Sequence, residues 1–488
     1  MLFNSYAFIF AFLPVTIAVY FLIPKFGNRR GGVRTGTLWL SFVSLVFYGY
    51  WDIRYVPLLL GSICWNFAIG RLIENKPSKK KLLLTSGIIV NLLLLGYYKY
   101  TAFFIENLDA ATGLSYDIPH IILPLGISFF TFTQTAYIID AYRGETKGYS
   151  FIIYLMFVTI FPHLIAGPII NHRDMIPQFM RKENLHLNWR NLSIGLALFS
   201  VGLFKKVVIA DSIAPWADEI FANASNLSFI EAWIGAIGYT FQLYFDFSGY
   251  SEMAIGLGLM FNLKFPVNFN SPYQSSSMID FWRRWHMTLG LWVKDYLYIP
   301  MGGNRHGELK KMRNLLVSML IIGLWHGAGW TFVLWGGLHG VLLTLNHQWR
   351  RLKISIPIPL ARTMTFIAVM CLWVFFRADS VTDALSVLRS MLDISNIMLP
   401  SGSVFERRLG FLTAYGIEFG HMHILASLAD ISACFLILGL LLMFAKNPIQ
   451  LTPFIDKSWS VIIISLMFAT SVFMIGMKGT GAFLYFQF

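Results

Sequence analysis

Runs of about 20 apolar residues recur along the whole chain, from Met1 to Phe488. A helix of that length spans the hydrocarbon core of a bilayer, where every backbone polar group must be satisfied inside the protein. The composition agrees, because 56% of the 488 residues are hydrophobic and only 13% are charged. So few charges cannot cover the surface of a soluble protein of this length. The sequence therefore predicts an all-α polytopic membrane protein.

The apolar runs define a set of predicted spans. They are residues 6–24, 36–51, 55–71, 82–104, 121–139, 151–170, 191–212, 229–261, 313–345, 361–376, 424–445 and 459–476. The runs 229–261 and 313–345 are too long for one simple span, so we expect them to break, tilt or re-enter at their glycines. Residues 262–312 are amphipathic and predict short interfacial helices. Ser380 predicts the N-cap of a helix that ends near Met391.

Charge gives a partial orientation. The net charge of +13 is explained by basic cytoplasmic loops, and no nucleic acid partner is expected. The basic loops 25–34 and 71–81 should be cytoplasmic, whereas segment 105–120 carries only acidic charges and should lie on the opposite side. The basic residues between Arg173 and Arg190 break this alternation. Either segment 151–170 does not cross the membrane fully, or a short neighbouring segment does.

Residues 323–340 place His326 and His339 in a run of aliphatic residues, tryptophan and glycine. A titratable side chain at membrane depth costs roughly 2.5–3.5 kcal/mol on insertion scales, so this pair predicts a reaction site. Histidine can accept a proton from a hydroxyl and return it; the alternative is a neutral imidazole bonded to a carbonyl. On one straight helix the two would lie about 20 Å and roughly 220° apart. Either the glycines fold the chain back, or the histidines act at different depths.

A second cluster, residues 281–288, alternates aromatic and basic side chains and contains Arg283, Arg284 and His286. It suits either a lipid-headgroup anchor or a wall of the reaction chamber that binds a phosphorylated donor. Asp246 lies in an apolar run and needs a cationic partner, for which either arginine is a candidate. Trp325, beside His326, is a further candidate for lining the site.

Segments 123–143, 161–168, 242–256, 280–305 and 324–340 together resemble the membrane-bound O-acyltransferase family. The resemblance is to its bacterial branch, which includes alginate O-acetyltransferase membrane subunits and D-alanyl-transfer proteins of Gram-positive walls. It places the catalytic histidine at His339, with His326 and His286 as further family-type positions. It implies one domain over residues 1–488, with about eleven to thirteen transmembrane or re-entrant helices around a central funnel. Within that domain, 1–120 would form the N-terminal helices, 121–345 the catalytic core and 346–488 the C-terminal helices.

The resemblance also implies an activity. Acetyl would move from a cytosolic donor, acetyl-CoA, across the bacterial inner membrane for O-acetylation of an exopolysaccharide. Alginate is the leading polymer; cellulose or another exopolysaccharide stays open. A separate extracytoplasmic protein with a serine-esterase-like domain would acylate the polymer, so the polysaccharide is an indirect acceptor and membrane lipid the surrounding partner.

A thioester already supplies a good leaving group, so neither a metal nor a permanently bound cofactor is expected. Two other hypotheses remain. One is a transporter or export channel that uses the histidines as a gate or proton relay; the other is a membrane scaffold without catalysis.

Overall fold

The computed structural model describes residues 1–26, 29–146, 148–401, 404–423, 428–445, 447–450 and 457–484. Parts of the predicted loop 25–34 and of the predicted span 424–445 therefore lie outside the described residues. The α-helices, in chain order, are α1 (Leu13–Phe26), α2 (Arg29–Gly49), α3 (Val56–Asn75), α4 (Lys80–Leu95), α5 (Thr101–Thr112), α6 (Ile127–Arg143), α7 (Phe151–Thr159), α8 (Phe161–Leu164), α9 (His172–Phe179), α10 (Trp189–Phe204), α11 (Asp211–Ala222), α12 (Phe229–Met260), α13 (Met278–Trp282), α14 (Met287–Val293), α15 (Glu308–His326), α16 (Trp330–Arg351), α17 (Ile358–Arg377), α18 (Val381–Ser390), α19 (Val404–Leu409), α20 (Leu428–Phe444) and α21 (Ser458–Lys478).

Four π-helical segments adjoin or link these helices: Ala7–Phe12, Gly96–Tyr100, Lys205–Ala210 and Lys294–Tyr298. Two short parallel strands, β1 (Met398–Pro400) and β2 (Glu418–Gly420), pair outside the bundle of long helices. The all-α prediction is confirmed. The short helices α13 and α14 and the helix α18, whose N-cap Ser380 accepts from the Asp383 amide, also lie where the sequence placed them.

Five continuous helical stretches among the described residues are long and apolar enough to cross a membrane: Ile53–Asn75, Pro77–Thr112, Trp189–Ala222, Ile358–Arg377 and Ser458–Lys478. The helices α6, α12, α15 and α16 carry more polar side chains, and nearly every residue of α12 is buried. Polar groups are tolerated at membrane depth when they face the interior of a bundle. Helices α6 and α12 thus lie inside the protein, whereas α15 and α16 bury only part of their surface.

Helix α12 is one unbroken helix of 32 residues that starts at a capping box formed by Ser228 and Glu231. At 1.5 Å per residue it is about 48 Å long, so the break predicted as one option for this run is wrong. Its glycines serve packing instead. A Cβ on Gly249 would lie 2.7 Å from the carbonyl oxygen of Gly202 in α10, so only glycine permits this close approach of the two helices.

The second long run does break, and it forms a helical hairpin. Helix α15 ends at His326 and α16 begins at Trp330, so the chain reverses over residues 327–329. The two helices meet at glycines: a Cβ on Gly323 would lie 3.1 Å from the Cα of Gly336. The glycines therefore allow the chain to fold back between the two histidines. Of the two alternatives given for His326 and His339, the folded-back chain is the one observed.

Segment 151–170 does not cross the membrane. Helix α7 has only nine residues, and after α8 the chain returns to the end where it started. The return is fixed by His172, whose Nδ1 lies 3.2 Å from the Tyr149 hydroxyl. Arg173 pairs with Asp140, 3.0 Å away, and with Glu145. This re-entrant hairpin explains why basic residues follow a segment that simple counting would place on the opposite side.

The basic loops therefore share one end of the molecule. Lys80 lies over the Tyr142 ring, 4.9 Å from its centroid, and Arg143 donates to the Asp295 carbonyl at 3.0 Å. At the other end, the turn after His326 meets the acidic segment, where the Trp330 indole donates to Asn107 at 2.8 Å. We call these the basic end and the acidic end.

Candidate active site

Three histidines from separate parts of the sequence gather inside the bundle. His286 lies between α13 and α14, His326 ends α15, and His339 lies in the middle of α16. The Trp335 ring contacts both His326 and His339, with centroid distances of 5.2 and 4.8 Å. The Trp325 ring lies 4.9 Å from His326 and 6.4 Å from His286. The three positions singled out by the sequence thus form one cluster.

His339 lies in an aromatic box and is fully buried. Its walls are the rings of Trp282, Trp335, Phe281 and Trp373, with centroids 4.8 to 6.3 Å away. The Trp282 indole donates to the Nδ1 atom of His339 at 3.2 Å. Within the described part of the chain, the Nε2 atom has no hydrogen-bond partner.

His286 is held by a dense polar network. Its backbone has a φ of +44°, a conformation that is costly for a non-glycine residue and persists only when its surroundings impose it. Its Nδ1 atom lies 3.0 Å from the Asn268 side-chain oxygen. That oxygen also accepts from the Thr288 hydroxyl at 2.9 Å and the Thr288 amide at 3.3 Å. The Asn268 amide group donates to Ser251 at 3.2 Å.

Lys99 was not singled out by the sequence analysis, yet it lies beside the histidines. Its side chain is half-buried, and the ammonium donates to the carbonyl oxygens of Trp325 at 2.5 Å and His326 at 3.0 Å and lies 3.4 Å from the Ser128 hydroxyl. It thereby satisfies carbonyls at the C-terminal end of α15, where a cation is favoured. The sequence feature that could have identified Lys99 is its position as a single lysine inside the apolar run 82–104.

Two cavities approach the cluster from opposite ends. A cavity of about 100 Å³ toward the acidic end is lined by Lys99, Ser128, Trp325 and His326, among others. A cavity of about 330 Å³ toward the basic end is lined by Lys264 and reaches Thr288, the residue that bonds Asn268. His339 lines neither cavity, and the rings of Trp282 and Trp335 stand against it.

The arginines do not pair with Asp246, which corrects that expectation. Asp246 pairs with Lys206 and accepts the Leu484 amide at 3.1 Å. Arg284 pairs with Asp280 at 2.9 Å, and Arg283 is exposed. The reason is that the buried face of α12 packs against the π-helical segment Lys205–Ala210, which supplies the cation that the carboxylate needs.

Comparisons with known proteins identify the family of this chain. Residues 125–386 match the family model of the membrane-bound O-acyltransferases. The chain is 46% identical to a peptidoglycan O-acetyltransferase of Helicobacter pylori over 82% of this chain and 81% of that protein. It is 37% identical to a probable alginate O-acetylase of Pseudomonas putida over the full length of both. It is 25% identical to a teichoic acid D-alanyltransferase of Streptococcus thermophilus over 72% of this chain and 85% of that protein. The matched residues include all three histidines of the cluster.

Proposed function

We infer that this chain, which belongs to the membrane-bound O-acyltransferase family, moves acetyl from a cytosolic thioester donor to a polysaccharide outside the cytoplasmic membrane. The chain is an O-acyltransferase and a multi-pass membrane protein. The acetyl donor, the direction of transfer, the partner protein and the polymer are proposals.

The observation that carries the proposal is the position of the histidine cluster between two cavities. The cavity toward the basic end is lined by Lys264 and also by Asp174 and Asp295, so the support for a donor that carries phosphates comes from the basic loops around that end and not from the lining itself. The cavity toward the acidic end suits an acceptor hydroxyl, because His326 lines it. Acetyl-CoA fits the first requirement, since it presents both phosphates and a thioester. By the positive-inside rule the basic end is cytoplasmic.

The acceptor side follows from the relatives' names, which refer to polymers of the cell surface. Two of the relatives are named for O-acetylation of a polymer, which is alginate in one name and peptidoglycan in the other. The alginate prediction made from the sequence stays, and the relative from Helicobacter pylori adds the glycan of peptidoglycan as a second candidate. A separate extracytoplasmic protein with a serine-esterase-like domain would pass the acetyl group to the polymer in either case.

The direct test is His339→Ala at normal protein level. We expect a loss of polymer acetylation of at least about 100-fold, the size of effect that either an acid–base group or a hydrogen-bond donor to the reacting oxygen contributes. His347→Ala is the matched control, because His347 lies in the same helix, near the basic end and away from the cluster. Unchanged acetylation in His339→Ala would refute the proposal and favour the scaffold hypothesis.

Labelled acetyl-CoA separates the enzyme from a transporter. An acyltransferase reconstituted in vesicles consumes the thioester and releases CoA in proportion to the acetyl ester formed. A channel would move a solute with no thioester consumed. Mass spectrometry of alginate and of peptidoglycan muropeptides from cells with and without the gene then identifies the polymer; acetyl loss from neither would contradict the proposed acceptor class.

A further inference from the structure

We propose that hydrogen bonds fix two of the histidines in opposite tautomers and so divide the chemistry between them. His339 donates a hydrogen bond from Nε2 to the acyl carbonyl oxygen, and His286 accepts the hydroxyl proton at Nε2. The inference rests on the proposed acyl transfer. The resemblance names His339 as the catalytic histidine, and the proposal gives it the role of hydrogen-bond donor.

The tautomer of His339 follows from its partner. An indole N–H can only donate, so the Nδ1 atom of His339 that receives the Trp282 bond at 3.2 Å carries a lone pair and no proton. In a neutral imidazole the proton then sits on Nε2. That N–H is buried and has no partner among the described residues. A buried N–H without a hydrogen-bond partner destabilises the protein. A substrate oxygen that accepts this hydrogen bond would remove the destabilisation.

The tautomer of His286 is the reverse. The Thr288 backbone amide can only donate, and it points at the same Asn268 side-chain atom as the Nδ1 atom of His286. That atom of Asn268 is therefore its carbonyl oxygen. Since a carbonyl oxygen only accepts, Nδ1 of His286 carries the proton and Nε2 carries the lone pair. His286 is thus ready to accept a proton at Nε2.

Thr288 makes this assignment firm. Its hydroxyl accepts the Ile169 amide at 3.0 Å and donates to Asn268 at 2.9 Å. Turning the Asn268 amide would place its NH₂ group against the Thr288 backbone N–H, which can only donate, and that hydrogen bond would be lost. The loss of a hydrogen bond by a buried donor is unfavourable, so the orientation with the carbonyl oxygen toward Thr288 dominates.

The reaction balances with these two roles. The acceptor hydroxyl oxygen attacks the thioester carbonyl carbon, and its proton passes to Nε2 of His286. A C–O bond forms, and the carbonyl π electrons move to the oxygen that the Nε2–H of His339 stabilises. When the tetrahedral intermediate collapses, the C=O bond reforms and the C–S bond breaks. The leaving thiolate takes the proton from His286, so the products are an acetyl ester and a free thiol.

Glutamine substitutions separate the two roles. The glutamine side-chain NH₂ can replace a donor at Nε2, but an amide does not accept a proton at working pH. We expect His339→Gln to retain at least about tenfold more turnover than His339→Ala, and His286→Gln to be as inactive as His286→Ala. Equal activity of His339→Gln and His339→Ala, or a clear rescue by His286→Gln, would overturn the proposal.

A spectroscopic measurement tests the tautomers without any turnover. ¹⁵N solid-state NMR of the full chain in lipid, labelled at histidine, distinguishes protonated from unprotonated ring nitrogens. Difference spectra against His339→Gln and His286→Gln should show Nε2–H for His339 and Nδ1–H for His286. The same tautomer at both positions would refute the inference, whereas a failed acetyl-transfer assay with opposite tautomers would refute only the proposed function.

Trp282 is the positioning residue for this arrangement. Trp282→Phe keeps an aromatic ring and removes the N–H, so we expect His339 to show a mixture of tautomers and kcat to fall roughly tenfold with little change in KM. Trp233→Phe is the matched control, because its indole also donates, to the Met391 carbonyl at 2.9 Å, away from the cluster. An unchanged His339 spectrum in Trp282→Phe would show that the indole does not set the tautomer.

Discussion

At the scale of single residues, Lys99 holds the end of α15 in place. Its ammonium lies beneath the carbonyls of Trp325 and His326, and no carboxylate pairs with it in the part of the chain that the structure describes. A half-buried amine in an apolar run is unfavourable without an ion pair, and its hydrogen bonds to the two carbonyls indicate a role in shaping the site. The neighbouring histidine takes its backbone position from this contact.

Lys99→Met tests that role. The substitution keeps the length of the side chain and leaves two carbonyls without their donor, at about 1–3 kcal/mol each. We expect a lower midpoint of thermal unfolding in detergent and roughly tenfold lower acetyl transfer. Lys81→Met, an exposed lysine of the neighbouring helix α4, is the control and should change neither. A Lys99→Met enzyme with wild-type stability and turnover would show that the cap is dispensable.

At the scale of elements, the glycine contacts of the α15–α16 hairpin bring His326 and His339 to the same indole. A Cβ on Gly336 would lie 2.3 Å from the Met319 carbonyl oxygen and 3.0 Å from the Cα of Gly323. Backbone atoms cannot give way as a flexible side chain does. Any side chain at Gly336 therefore forces the two helices apart.

Gly336→Ala should accordingly separate the two histidines and abolish most of the activity. The adjacent glycine supplies a close control, because a Cβ on Gly337 would meet only the end of the Leu320 side chain, at 3.2 Å. We expect Gly337→Ala to keep near-normal turnover, and Gly336→Ala to fall at least about 100-fold with a lower unfolding temperature. Equal activities for the two variants would contradict this view of the hairpin.

At the scale of the whole molecule, the two ends should lie on opposite sides of the membrane. Helix α15 runs from the basic end to the turn after His326, and its 19 residues span about 28 Å, close to the thickness of the hydrocarbon core. Asp117 is exposed in the acidic segment and Lys310 is exposed at the basic end. The positive-inside rule places Lys310 in the cytoplasm.

Cysteine labelling checks this orientation. In a chain with Cys64, Cys371 and Cys434 replaced by alanine, a membrane-impermeant maleimide added to spheroplasts should label Asp117→Cys. Lys310→Cys should react only after the membrane is permeabilised. The reverse pattern would invert the proposed direction of acetyl transfer, and labelling of both from outside would refute a spanning arrangement.

The sequence by itself determined the membrane class, the all-α fold and most helix positions, and it singled out His286, His326 and His339 as candidates. These properties depend on hydropathy over about 20 residues and on rare titratable groups in apolar runs, both of which are local. The partner of Asp246, the re-entrant path of 151–170 and the unbroken α12 depend on which helix faces become neighbours. So do the bonds from Trp282 and Asn268 that set the protons on the histidines, because contacts between residues distant in sequence form only when the bundle packs.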